Sequence, residues 1–145
     1  MFTVSELVKN HPSRAITDEA ALIKTIETTL VAAHACVSCA DACISSADPR
    51  MLARCIRVAL DCADICQATW RMLARQQEHD IAMVARQLDL CAYACRRCAE
   101  ECERHAKTHA HCATCRDACR WCEKACDTLL GGLPVRDENG PAAVH

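Results

Sequence analysis

The cysteines of this chain recur at helical intervals, and no other feature constrains its fold as strongly. Cys91, Cys95, Cys98 and Cys102 lie four, three and four residues apart in CAYACRRCAEEC, a stretch without glycine, proline or asparagine. Such intervals return side chains to one face of an α-helix, and the intervening Ala, Arg and Glu are good helix formers. Cys112, Cys115, Cys119, Cys122 and Cys126 repeat the pattern. Cys36, Cys39 and Cys43 form a third stripe, and Cys55, Cys62 and Cys66 a fourth, with Met51 four residues before Cys55. All 15 cysteines belong to one of these stripes.

The stripes define four helical segments, expected at about 17–46, 49–76, 79–106 and 108–131. The first opens at Thr17-Asp18-Glu19, and the second has Asp48 as N-cap with Pro49 at the first helical position. The third follows a weakly marked break near Glu78, and Thr108 can cap the fourth. That last helix should end at Gly131-Gly132, just before Pro134. Residues 1–16 read as a strap or short helix and 133–145 as a tail. Segments of roughly 23 to 30 residues, about 35–45 Å long, joined by short connections predict an all-α fold. It is an antiparallel four-helix bundle with a thiol-lined core.

In that topology the cysteine-bearing halves of all four helices share one end. The other end is expected to be plugged by Leu22, Ile26, Leu30, Leu73, Ile81, Val84, Leu88, Leu129 and Leu130. The thiol-lined section would be about 20 Å long. Two Trp, one Tyr and one Phe leave little aromatic volume for a core, so the thiols must fill it.

Three Gly and four Pro are too few for a loop-rich disulfide scaffold, and an odd cysteine count cannot pair completely. A net charge of −2 with scattered Lys and Arg gives no nucleic-acid or membrane footprint. No run of about 18 uncharged apolar residues marks a spanning helix. The N-terminal residues lack a basic segment, an apolar run and a small-residue cleavage site, so the chain is expected to be cytoplasmic, with reduced thiols. The cysteines then read as metal ligands.

Cys-x-x-x-Cys occurs six times, at 39/43, 62/66, 91/95, 98/102, 115/119 and 122/126. On a helix these pairs sit one turn apart, roughly 5–6 Å between Cβ atoms, and can flank an ion of low coordination number. Soft thiolates select Cu(I), Zn(II) or iron–sulfur clusters. Zinc requires four ligands in a closed site, and adjoining four-thiolate sites would leave uncompensated charge in a buried core. Cu(I) at about one ion per thiolate leaves little net charge. The Cys-x3-Cys-x2-Cys spacing at 91/95/98 and 115/119/122 matches radical-SAM cluster loops, but those loops belong to α/β barrels. Cys-x-x-Cys redox pairs, such as 36/39 or 112/115, should open a helix that follows a strand.

The open end is formed by the turns at 46–50 and 105–111. His105 continues the thiol face of its helix, His109 lies three residues before Cys112, and His111 falls at the rim. Met51 is expected to face inward. These imidazole and thioether groups suit metal entry and hand-over. Asp61 flanks Cys62 as an edge ligand, whereas His34, His79, Asp41 and Asp64 read as surface residues.

These residues resemble the bacterial copper storage proteins, four-helix bundles filled with cysteines. The resemblance rests on CVSCADAC, CADIC, CAYACRRCAEEC and CATCRDACRWCEKAC, with the histidine-rich HAKTHAHC turn, and covers residues 17–132. Segment two departs from it, with no cysteine between Cys55 and Cys62 and with Val58 and Ala59 facing inward. The resemblance implies a homotetramer of bundles holding many Cu(I) ions on paired and bridging thiolates, loaded through the His/Met end. It implies a non-enzymatic cytosolic store, with a copper chaperone as a candidate partner. The alternatives are a copper-transfer or sensing module, or a thiolate zinc store.

Overall fold

A computed structural model describes residues 2–134; the expected tail lies outside this range apart from Leu133 and Pro134. The described residues form α1 (Val4–Lys9), α2 (Glu19–Ile44), a 3-10 turn (Pro49–Leu52), α3 (Ala53–Ala74), α4 (Ile81–Glu103) and α5 (Ala110–Gly132). No strand occurs among them. α2 and α4 each pack against both α3 and α5, the square arrangement of an antiparallel four-helix bundle. α1 lies on α2 and buries Val8.

The helix starts follow local capping chemistry. The Asp18 carboxylate accepts from the Ala20 amide at 2.8 Å, and Asp80 accepts from the Met83 amide at 3.0 Å. Such bonds satisfy amides that have no partner within the helix. Glu78 sits at the α3–α4 break with φ of 50°, a left-handed conformation that turns the chain without glycine.

Three boundaries differ from expectation. Asp48 makes no capping bond, and Pro49–Leu52 winds as a 3-10 turn before α3 begins. α4 ends at Glu103, and residues 104–108 continue as turns, with the His105 amide bonded to the Cys102 carbonyl at 3.0 Å. The Thr108 hydroxyl donates to the His105 carbonyl instead of capping, so His109 is the N-cap of α5. α5 ends at Gly132, within the expected glycine pair, although neither glycine has positive φ. Its C-cap is Leu133, whose extended φ of −65° and ψ of 151° suit a residue preceding proline.

The interior has two layers along its axis. At one end Leu22, Leu73, Leu88 and Leu129 are at most 1% exposed, with Ile26, Ile81 and Val84 buried beside them. Leu30 and Leu130 pack only partly against this plug. Next come three fully buried threonines, Thr25, Thr29 and Thr69. Their hydroxyls donate to carbonyls one turn back, at 2.7–2.8 Å, so they enter the core without an unmet donor. The cysteines fill the rest, spaced by buried alanines including Ala32, Ala40, Ala59, Ala92 and Ala99. These small residues bring the helices close and leave the sulfurs as the bulk between them.

α2 has no uncharged run of 18 residues, yet an 18-residue window of mean hydropathy 1.3 makes it long and apolar enough by composition to cross a membrane. The bundle uses that apolar character as core wall, burying Leu22, Ile26, Ala32, Cys36, Ala40 and Cys43.

Candidate metal centre

Because the helices are antiparallel, stripes with equal residue spacing face one another at matching heights. All 15 cysteines are buried and unpaired by disulfides. The Cys36 sulfur lies 3.8 Å from Cys98, 3.6 Å from Cys119 and 3.8 Å from Cys115. Cys66 lies 3.6 Å from Cys95 and 3.8 Å from Cys91, Cys62 lies 3.8 Å from Cys95, and Cys55 lies 3.9 Å from Cys102. Cys62 and Cys66, on one helix, are 3.9 Å apart. Most of these contacts thus join different helices.

Several sets of donor atoms lie mutually within 4.8 Å. They are Cys36/Cys98/Cys115/Cys119, Cys66/Cys91/Cys95/Cys122, Cys62/Cys95/Cys119, Cys39/Cys55/Cys102, and Cys39/Cys43/Cys112 with His111. Cys39, Cys95 and Cys119 each belong to two sets. Sharing joins the sets into two runs, which contacts of Cys102 with Cys98 and Cys115 connect into a ladder, and departs from the four dedicated ligands of a closed zinc site. Cys126 ends the ladder beside Cys122 and Cys91. Ala59 is fully buried where α3 would otherwise continue its cysteine spacing, whereas Val58 is only partly buried.

Burial alone opposes fifteen thiolates in an apolar core. The thiols partition into two groups through their own hydrogen bonds. Contacts from Cys119 hold Cys62 below the ordinary thiol range, and contacts from Cys102 hold Cys115 below it. Their partners Cys36, Cys95 and Cys102 are raised by the same network. At the mouth, burial comes first: it raises Cys43, and pushes Cys112 up to about 12. These two must therefore lose a proton when they bind a metal near neutral pH.

The histidines cluster at the mouth. The His111 Nε2 lies 3.4 Å from the Cys43 sulfur, nearer a thiol than a rim position suggests. The His109 ring centroid is 5.2 Å from that of His111 and 6.5 Å from that of His105. Glu101, next to Cys102 in the chain, is 8% exposed. One carboxylate oxygen accepts from the Arg54 Nε at 3.1 Å, and the other lies 3.5 Å from the His105 Nε2. A proton on Nε2 facing this carboxylate leaves the Nδ1 lone pair free for a metal. The signal for Glu101 was its place four residues before His105.

Three expectations are corrected. Met51 is 72% exposed, and its neighbour Leu52 is the buried residue; the 3-10 turn, with three residues per turn, shifts the facing of both. Asp61 points outward and pairs with Arg57 at 3.0 Å, which leaves it away from the sulfurs. His79 is half-buried, with both ring nitrogens enclosed and without hydrogen-bond partners; burial lowers its pKa below the usual histidine range. His34, Asp41 and Asp64 are exposed as expected.

The comparisons with known proteins agree with this geometry. The copper storage protein Ccsp of Streptomyces lividans, solved with 10 copper equivalents, superposes with a TM-score of 0.88 at 43% identity, covering 90% of this chain and 100% of that one. A structure of the cytosolic copper storage protein from Streptomyces lividans with five coppers gives a TM-score of 0.78 at 45% identity, covering 79% and 96%. A variant of Ccsp with two histidines replaced by alanine gives 0.80 at 44% identity, covering 81% and 98%. No curated protein sequence matches the chain. The family model for copper storage proteins matches residues 18–131, and the chain belongs to that family.

Proposed function

We propose that this protein is a cytosolic store and buffer for many Cu(I) ions, held by the thiolates inside its bundle, and that it is not an enzyme. The observation that carries the reading is the ladder of buried sulfurs 3.6–3.9 Å apart, with single thiols shared between neighbouring ligand sets. A shared thiolate can bridge two ions, and soft sulfur favours Cu(I). One positive charge per thiolate keeps the loaded core near neutrality, which separate four-thiolate zinc sites would not.

Loading starts at the mouth. His105, His109 and His111 receive the ion, and His111 passes it to Cys43, Cys112 and Cys39. Each thiol gives up its proton as the ion arrives, and sharing of Cys39 with the next set leads the metal inward. Glu101 holds the His105 ring in one orientation. The reading extends to assembly as a homotetramer: Val31, Val37 and Ile44 on α2 and Trp121 on α5 are exposed apolar surface that further copies would cover. A copper chaperone would deliver the metal at the histidine end.

Anaerobic titration of the reduced protein with Cu(I) against a competing chelator, with a direct metal count, tests the proposal. The expected capacity is on the order of one ion per thiolate. One or two equivalents would overturn it, and rapid release to the chelator would turn the reading toward a copper-transfer module.

A further inference from the structure

The plugged end contains soft donors that the thiol ladder does not use. The α3–α4 turn and the adjoining helix ends enclose a cleft of about 220 Å³, lined by Met72, His79 and Met83 together with Arg75, Glu78 and Asp80. The chain has only four methionines, and two of them, Met72 and the 58%-exposed Met83, line this cleft with a histidine. Glu78, just before that histidine, holds a left-handed conformation, which is strained for a non-glycine residue.

The His79 ring is the second observation. Both of its nitrogens are enclosed, and neither has a hydrogen-bond partner. Enclosed polar atoms without partners are uncommon and destabilising. Burial favours the uncharged ring, against the nearby Arg75 backbone. The Arg75 charge disfavours positive charge at the ring, while Glu78 and Asp80 supply opposite charge to the same cleft. The Asp80 carboxylate already caps α4 through Met83.

We propose that Met72, His79 and Met83 form a second soft-metal site, separate from the thiol ladder and at the opposite end of the bundle. Two thioethers and one imidazole match a monovalent soft ion such as Cu(I) better than zinc or a hard cation. Without a thiolate, the site is weaker than the ladder and fills after it. It gives the closed end a place where excess Cu(I) is held exchangeably, and its existence does not depend on the capacity of the core.

The test uses the full chain, reduced and carrying ¹³C-methyl methionine, titrated with Cu(I) past saturation of the thiols. The Met72 and Met83 methyl resonances should shift together and saturate at about one further equivalent. The exposed Met51 methyl serves as the reference and should stay in place. The M72L/M83L double variant, which conserves side-chain volume, should lose that late equivalent and keep the thiol-bound count. Methionine methyls that do not move, or that drift without saturating, would overturn the site and assign the His79 nitrogens to water. A Zn(II) titration that perturbs His79 and leaves the methyls unmoved would overturn it too, in favour of an imidazole–carboxylate site. Failure of the storage reading is a different result: a low total count whatever the methyls do.

Discussion

The two halves of the bundle are built from the same four helices and are equally buried, yet they differ in what fills them. The plugged half holds Leu22, Leu73, Leu88 and Leu129, followed by threonines whose hydroxyls bond to their own helix. Those buried side chains leave no group of their own for chemistry. In the other half the sulfurs make their polar contacts with one another and with His111. An S–H contact is weak and readily exchanged for a metal–sulfur bond. Core packing is thus delegated to one end and thiol chemistry to the other, so the apo-protein is expected to stay folded with its thiols available.

The comparison can be broken most directly by substitution in each half. Leu88→Ala should lower apo-protein stability by about 2–5 kcal/mol, read by chemical denaturation, with the Cu(I) count unchanged. Cys95→Ala should cost less stability, about 1 kcal/mol, and lower the count by more than one ion because Cys95 serves two ligand sets. A large loss of capacity in Leu88→Ala without unfolding would show that the plug is not merely structural.

A second test concerns protons and applies to the thiol half alone. Burial raises Cys43 and Cys112, so both are protonated at pH 7. Metal binding releases those protons, and lowering the pH therefore weakens binding. The expected loss is about tenfold in affinity per pH unit for each proton displaced, or about 1.4 kcal/mol. Chelator competition between pH 6 and 8 measures it. An affinity independent of pH would mean that the mouth thiols are already ionised.

The smallest expected effect lies at the mouth. Replacing His105 and His109 with apolar residues should slow Cu(I) uptake several-fold in stopped-flow measurements and leave the final count nearly intact. Loss of several equivalents instead would mean that these rings anchor metal within the ladder. Glu101→Gln should produce a milder slowing, because an amide still meets the His105 ring but no longer fixes its proton.

Much of this architecture was legible before any tertiary structure. The 3/4 spacing of Cys91 to Cys102 and of Cys112 to Cys126 placed them on core faces, and all are buried. The leucine plug followed from the same periodicity, except for Leu30 and Leu130, which lie at its margin. Met51 was misplaced because an α-helical phase was carried back through Pro49–Leu52, where the chain winds as a 3-10 turn. Glu101 was missed because a carboxylate beside a stripe ordinarily faces solvent. Its burial depends on Arg54, 47 residues away in sequence.

The sequence alone determined the helices, the face each one buries and the soft-donor chemistry of that face, because these follow from local periodicity and residue type. Which sulfurs meet, which histidine reaches Cys43 and which residue closes the mouth were decided by the tertiary structure. Periodicity fixes the direction of a side chain around its own helix axis. The height and rotation of one helix against the next come from packing of alanines, leucines and thiols contributed by all four.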